Sequence, residues 1–270
     1  MAIKQSRVDL GSRLTANLST LFTELPFLER FEAAAQVGFR FVEFQFPYAH
    51  NFSDIRAAIT SAGVELVMHN FPLGDRDAGE RGLAGLRGQR ERFQQSIDLG
   101  VTAARALATP RMNCLAGIVS KPDQRQNARD TMVENFRYAA TRLGEDRRDL
   151  LIEPLNDRDT PGFVLSRAQD VLELLEDVGS KNAYLQLDIY HASMMGEDII
   201  KIIETGLNRI GHVQFADMPG RHEPGTGDID FGRIFDCLAV NVYQGKLGCE
   251  YYPREETVAG LGWRADIFGN

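Results

Sequence analysis

A single-domain (β/α)8 barrel is the fold this chain predicts, and three observations carry the prediction. Eight short apolar runs alternate with longer segments of helical periodicity from one end to the other. The length, 270 residues, suits one such barrel and is too short for two full-sized domains with linkers. Four runs in the second half each end in an oxygen donor, and parallel strands separated by helices bring such ends to one rim.

In chain order, residues 1–13 read as a loose N-terminal leader, without the long apolar core of a signal peptide. The strand candidates are residues 14–18, 39–46, 64–69, 111–116, 150–154, 184–189, 210–216 and 246–251. After the first strand, Phe27, Leu28, Phe31, Ala34 and Ala35 form a helical face that starts near Pro26 and stops at Gly38. The fifth helix carries Val171, Leu172, Leu174, Leu175 and Val178, with Ser166 as its expected cap and Gly179 as its end. The later strands alternate. Leu185, Leu187 and Ile189 oppose Gln186 and Asp188, Val213 and Phe215 oppose His212 and Gln214, and Leu247, Cys249 and Tyr251 oppose Gly248 and Glu250. The apolar faces should meet the helix layer and the polar faces should turn into the barrel. An open doubly wound sheet is the runner-up, but no Gly-rich phosphate turn follows the first strand.

Composition narrows the function classes. Apolar residues make up 43% and charged residues 25%, ordinary for a soluble globular protein, and no run of about 18 apolar residues offers a membrane span. Cys114, Cys237 and Cys249 show no CxxC spacing and read as small hydrophobes in a reducing compartment, so a cytoplasmic location is expected. A net charge of −8 argues against a nucleic-acid partner. A homo-oligomer is compatible with a barrel, although no self-complementary patch is visible.

The donors that end the four runs are Glu153, Asp188, Gln214 and Glu250. Carboxylates around one amide oxygen make a hard site suited to Mg²⁺, Mn²⁺ or Co²⁺, whereas zinc is better served by more His or Cys. Any one of them alone could equally be a barrel-mouth carboxylate paired with an arginine. Together they fit aldose–ketose chemistry, in which Glu153 and Glu250 transfer the proton and a metal stabilises the enediolate. His191, where the sixth strand enters its loop, is a candidate to hold a substrate hydroxyl. Arg221 is the candidate to neutralise a substrate carboxylate, against the plainer reading of a surface arginine paired with Glu223. His69 could reach the same pocket or be a satisfied interior histidine, and Glu43 is similar. The glycine- and arginine-rich stretch from Leu73 to Gly88 reads as a lid or as an irregular surface loop.

These residues carry a resemblance. Ala16-Asn-Leu-Ser19, Val42-Glu-Phe44, Phe46-Pro-Tyr48, Ala78-Gly-Glu-Arg-Gly82, Ile152-Glu-Pro-Leu-Asn156, Leu187-Asp-Ile-Tyr-His191, Gly211-His-Val-Gln214, Glu223-Pro-Gly-Thr-Gly227 and Gly248-Cys-Glu250 are together similar to the hydroxypyruvate isomerase family, within the xylose-isomerase-like TIM barrel superfamily. The resemblance implies a divalent metal held by Glu153, Asp188, Gln214 and Glu250. It also implies conversion of hydroxypyruvate to 2-hydroxy-3-oxopropanoate (tartronate semialdehyde). Isomerisation of 2-oxotetronate is the close alternative and 3-epimerisation of a ketose a more distant one. Similar barrels also serve as metal-dependent DNA-repair endonucleases, but five histidines and the acidic balance speak against a metal cluster and a phosphate track. A non-catalytic sensor would be expected to lose one glutamate, and both are present.

Overall fold

The computed structural model describes residues 2–119 and 122–269. The first half comprises helix α1 (Ala2–Gly11), strand β1 (Leu14–Asn17), α2 (Arg30–Gln36), β2 (Phe41–Glu43), α3 (Phe52–Ala62), β3 (Glu65–Leu66), β4 (Met68–Asn70), α4 (Arg90–Leu107), β5 (Arg111–Asn113) and α5 (Pro122–Gly144). The second half comprises β6 (Asp149–Ile152), α6 (Ala168–Val178), β7 (Ala183–Asp188), α7 (Ile189–Met194), α8 (Ile199–Gly206), β8 (Ile210–Phe215), α9 (Phe231–Val240), β9 (Leu247–Cys249) and α10 (Trp263–Phe268).

All strand pairs are parallel, in the order β3-β2-β1-β9-β8-β7-β6-β5-β4. The two ends of that order are halves of one run interrupted at Val67. Its first half pairs with β2 and its second with β5, while Val67 N donates to Val42 O at 2.9 Å and Asn70 N to Gln45 O at 2.8 Å. The third predicted strand therefore closes the ring, and the expected (β/α)8 TIM barrel is the observed fold.

Strand alternation sorts the side chains as expected. Val42, Phe44, Leu185, Leu187, Val213, Phe215 and Cys249 are buried in the main apolar core. Phe41, Met68 and Leu151 form a small separate apolar cluster with Val67 and half-buried Tyr184. A polar layer shares the inward phase. His212 Nε2 lies 2.7 Å from Glu43 Oε2, Gln214 Nε2 donates to Glu43 Oε1 at 2.7 Å, and Asn17 Nδ2 donates to the same oxygen at 3.0 Å. Gly248 makes room for this carboxylate, because a Cβ there would sit 2.5 Å from Glu43 Oε1. Glu43 is thus a satisfied interior group, its carboxylate oxygens met by three side chains.

Two local expectations differ. Residues 2–11 are a helix rather than a loose leader. Arg7 Nε pairs with Asp236 Oδ1 of α9 at 2.5 Å, Arg7 Nη2 donates to Gly232 O at 3.0 Å, and Leu10 is buried. Helix α6 begins one residue beyond the expected Ser166 cap, with Arg167 at the cap position. Its free N–H groups are met by a distant carboxylate instead, Glu197, which accepts from Ala168 N at 2.9 Å and Gln169 N at 3.3 Å. Gly179 ends the helix in the left-handed conformation as expected. The three cysteines are free, and among the described residues no helix is long and apolar enough to cross a membrane.

Candidate active site

The C-terminal ends of β6 to β9 present the site. Asp188 ends β7, caps α7 by accepting from Tyr190 N at 2.8 Å, and stands in register with Gln214 of β8, itself in register with Gly248 of β9. Glu153 and Glu250 follow β6 and β9 directly. All four predicted donors are buried. A cavity of about 200 Å³ opens at two of them, Glu153 and Glu250, and is lined also by His191, Arg221, Gln45 and Asn70 among others.

Charge dominates this cavity. Arg221 Nη2 lies 3.0 Å from Glu250 Oε1 and 3.3 Å from Asp188 Oδ2, and its guanidinium covers the Tyr190 ring at 5.0 Å. Burial alone would lower its pKa, but Glu250, Asp188 and Glu153 outweigh burial and hold it above its ordinary value. Burial raises Glu153 well above the usual carboxylate range, and the charges of Glu250 and Asp188 add to the effect. Burial also pushes Glu250 up to about 7, opposed by Arg221. Arg221 alone does not match three carboxylates in charge, and burial meets part of the difference by favouring the protonated forms of Glu153 and Glu250.

Part of the donor set is spaced for a metal ion. Ligand atoms of Glu153, Asp188 and His191 lie within 4.8 Å of one another, so these three can hold a metal ion. Gln214 is beside them, but its amide is anchored below: Nε2 donates to Glu43, and Oε1 accepts from Gln186 Nε2 at 2.5 Å. Both ends of that amide are thus engaged within the barrel, below the cavity.

His191 has a defined tautomer. The backbone N–H of Asn156 donates to its Nδ1 at 3.2 Å, and Asn156 Nδ2 lies 2.7 Å from the same atom. Nδ1 is therefore the acceptor, and the neutral ring, with a pKa lowered to about 4 by burial, carries its proton on Nε2. Nε2 lies 3.6 Å from Asp188 Oδ2. In this tautomer His191 is a hydrogen-bond donor at the edge of the cavity, beside the two carboxylates with which its ring could otherwise hold a metal ion.

His69 is not brought to this group. Its neighbours Met68 and Asn70 take the inward phase, so its ring enters the helix layer. There it lies 5.9 Å from Phe44, with Nδ1 2.9 Å from Thr109 Oγ1. The substrate-binding expectation for His69 is corrected accordingly. Arg221 meets the site carboxylates, while Glu223 instead accepts from the backbone N–H of Arg254 at 3.1 Å.

Several site residues were not singled out from the sequence. Asn113 Nδ2 donates to Glu153 Oε2 at 2.6 Å, and Gln45 Nε2 donates to Glu250 Oε1 at 2.7 Å. Both lie at or beyond strand ends in the inward phase, so the alternation argument applied to the first half of the chain would have found them.

A family model described as the xylose isomerase-like TIM barrel matches residues 31–267. The chain belongs to that family. It is 43% identical over 251 residues to the hydroxypyruvate isomerase of Escherichia coli K12, covering 93% of this chain and 97% of that one. It is 38% identical over 257 residues to a 2-oxo-tetronate isomerase of Cupriavidus necator, covering 95% and 99%. A crystal structure described as an AP endonuclease, family 2, from Brucella melitensis superposes with a TM-score of 0.91 at 39% identity, covering 94% of this chain and 98% of that one. The resemblance to the hydroxypyruvate isomerase branch, drawn from motifs, thus extends along nearly the whole chain.

Proposed function

We propose that this protein is an isomerase of small 2-oxo hydroxy acids that interconverts hydroxypyruvate and 2-hydroxy-3-oxopropanoate. The observation that carries the reading is the pair Glu153 and Glu250. Both are buried, both line one cavity, and burial raises the proton affinity of each. A carboxylate with raised proton affinity is a competent base for a carbon acid next to a carbonyl. One glutamate takes the proton from C3 of hydroxypyruvate to give an enediolate, and the proton is returned at C2. An O–H proton passes from the C3 oxygen to the C2 oxygen, which leaves the aldehyde. His191, with its proton on Nε2, donates to a substrate oxygen, and Arg221, paired with Glu250 and Asp188, opposes the rise in the proton affinity of Glu250.

Glu153, Asp188, Glu250 and the amide oxygen of Gln214 would hold a divalent ion, Mg²⁺ or Mn²⁺ by the hardness of the donors. Such an ion supplies Lewis-acid polarisation of the substrate oxygens. The free cysteines support a cytoplasmic setting.

The relative from Cupriavidus necator supports 2-oxotetronate as the second substrate to test. A DNA-repair role is disfavoured, because a cavity of about 200 Å³ lined by the carboxylates of Glu153 and Glu250 on a chain of net charge −8 gives phosphates no track. Side-by-side turnover of hydroxypyruvate and 2-oxotetronate, with metal-depleted protein and Mg²⁺ or Mn²⁺ restored, should favour hydroxypyruvate. Glu153→Gln and Glu250→Gln should each abolish turnover with circular dichroism unchanged, and retained turnover in either variant would refute the two-carboxylate mechanism.

A further inference from the structure

The loop between β4 and α4 is stapled into a fixed shape. Gly82 N donates to Leu73 O at 2.9 Å and closes the loop on itself, while Gly85 N donates to Ala116 O at 2.7 Å and ties it to the segment after β5. Gly82 and Ala116 also form an antiparallel bridge. Inside the loop, Asp75 Oδ1 accepts from Asp77 N and Ala78 N, and Glu80 is clamped by both terminal nitrogens of Arg92 at 2.7 and 2.8 Å. Two further arginines of this loop, Arg76 and Arg81, line the same cavity as Glu153 and Glu250. Arg81 Nη1 is held by the carbonyl of Glu80 at 2.8 Å.

Two of the acids near these arginines already have partners. Glu80 belongs to Arg92, and Asp159 Oδ2 accepts from Tyr190 Oη at 2.8 Å and Asn156 Nδ2 at 2.9 Å. Among the described residues neither Arg76 nor Arg81 is in an ion pair, whereas Arg221 is committed to Asp188 and Glu250. At the catalytic end, three carboxylates would be balanced by Arg221 and one divalent ion. At the loop end, two guanidinium groups face the cavity without an anion.

We infer that Arg76 and Arg81, rather than Arg221, bind the substrate's carboxylate, and that the loop selects 2-oxo acids over neutral ketoses. A guanidinium pairs with a carboxylate through parallel hydrogen bonds, which fixes orientation as well as charge. With the carboxylate at the loop, the other end of the molecule is directed towards Glu153 and Glu250. The inference rests on the reading of the site as a 2-oxo acid isomerase.

The test compares hydroxypyruvate with dihydroxyacetone, in which a CH2OH group replaces the carboxylate. Wild-type protein, Arg81→Gln, Arg81→Lys and the double variant Arg76→Gln/Arg81→Gln are assayed for kcat and KM on both. Binding of tartronate, an unreactive dianion, is followed by calorimetry. The expected result is a rise of about tenfold or more in KM for hydroxypyruvate in Arg81→Gln and the double variant, with a smaller rise in Arg81→Lys. The preference for hydroxypyruvate over dihydroxyacetone and the affinity for tartronate should fall by a similar factor. Unchanged KM and tartronate affinity in the double variant would overturn the inference, and so would an equal loss towards both substrates. If wild-type protein turns over no 2-oxo acid yet loses tartronate binding in the double variant, the isomerase reading fails while the carboxylate pocket stands.

Discussion

Asn156 and Thr109 show how single neighbours decide what a histidine does. His191 and His69 are both buried, and burial lowers both pKa values, to about 4 and about 3. The backbone N–H of Asn156 turns His191 into a donor facing the cavity, whereas the hydroxyl of Thr109 holds His69 outside the barrel. His69 has a pH consequence of its own. Above its ordinary 6.5 it is neutral in the folded and unfolded chains alike; between 6.5 and about 3 only the unfolded chain takes up the proton. Stability is therefore lost as pH falls through that window, by about 2 kcal/mol from this residue between pH 7 and pH 5. Urea unfolding at the two pH values should show a smaller loss in His69→Gln than in wild type, and identical losses would rule this account out. Which way His69 points was readable in principle, since Met68 and Asn70 flank it in the opposite phase. The sequence hid it because a histidine at a strand end looks the same in either phase, and a slip of one residue reverses the face.

At the scale of elements, the strands were legible and their accessories less so. Every predicted strand is found, because alternating apolar positions and the helical runs between them report the same barrel twice. Helix α1 escaped because its sequence has no strong apolar face; it is held by Leu10 and by the arginine contacts to α9, which depend on a partner more than two hundred residues away. The loop after β4 showed its glycines and arginines in the sequence but not its staples, which are backbone hydrogen bonds. Gly82 is the tightest of these points. Its φ is +110°, and a Cβ there would lie 2.2 Å from the carbonyl oxygen of Leu115. Gly82→Ala should therefore cost about 1–3 kcal/mol of stability in thermal or urea unfolding, from strain and overpacking together. The loop should shift with it, so KM for hydroxypyruvate should rise more than kcat falls. A variant with wild-type stability and wild-type KM would show that the close approach does not constrain the loop.

Across the whole molecule, the carboxylates proposed to move the proton are also buried close together, with raised proton affinity at Glu153 and Glu250. A divalent ion that binds only the folded state stabilises it by mass action, by about 2.7 kcal/mol at a hundredfold excess over its Kd. Adding Mg²⁺ or Mn²⁺ to metal-depleted protein should raise Tm, and Asp188→Asn should remove most of the rise; a flat response in wild type would argue against a divalent site. The four donors were legible because parallel strands deliver their ends to one rim. The support for Gln214 from Glu43 was not, because it crosses the barrel between strands distant in sequence. The molecule thus keeps the carboxylates proposed for proton transfer on the later strands and its loop arginines on a clip closed by its own backbone. The two parts belong to different elements: the clip is closed by its own hydrogen bond, bridged to the segment after β5 at Ala116, and seated on the core through Leu83 and Ala84. The clip is in that sense a cassette: exchanging it for a related loop would offer a route to new substrates with the proton-transfer machinery left in place.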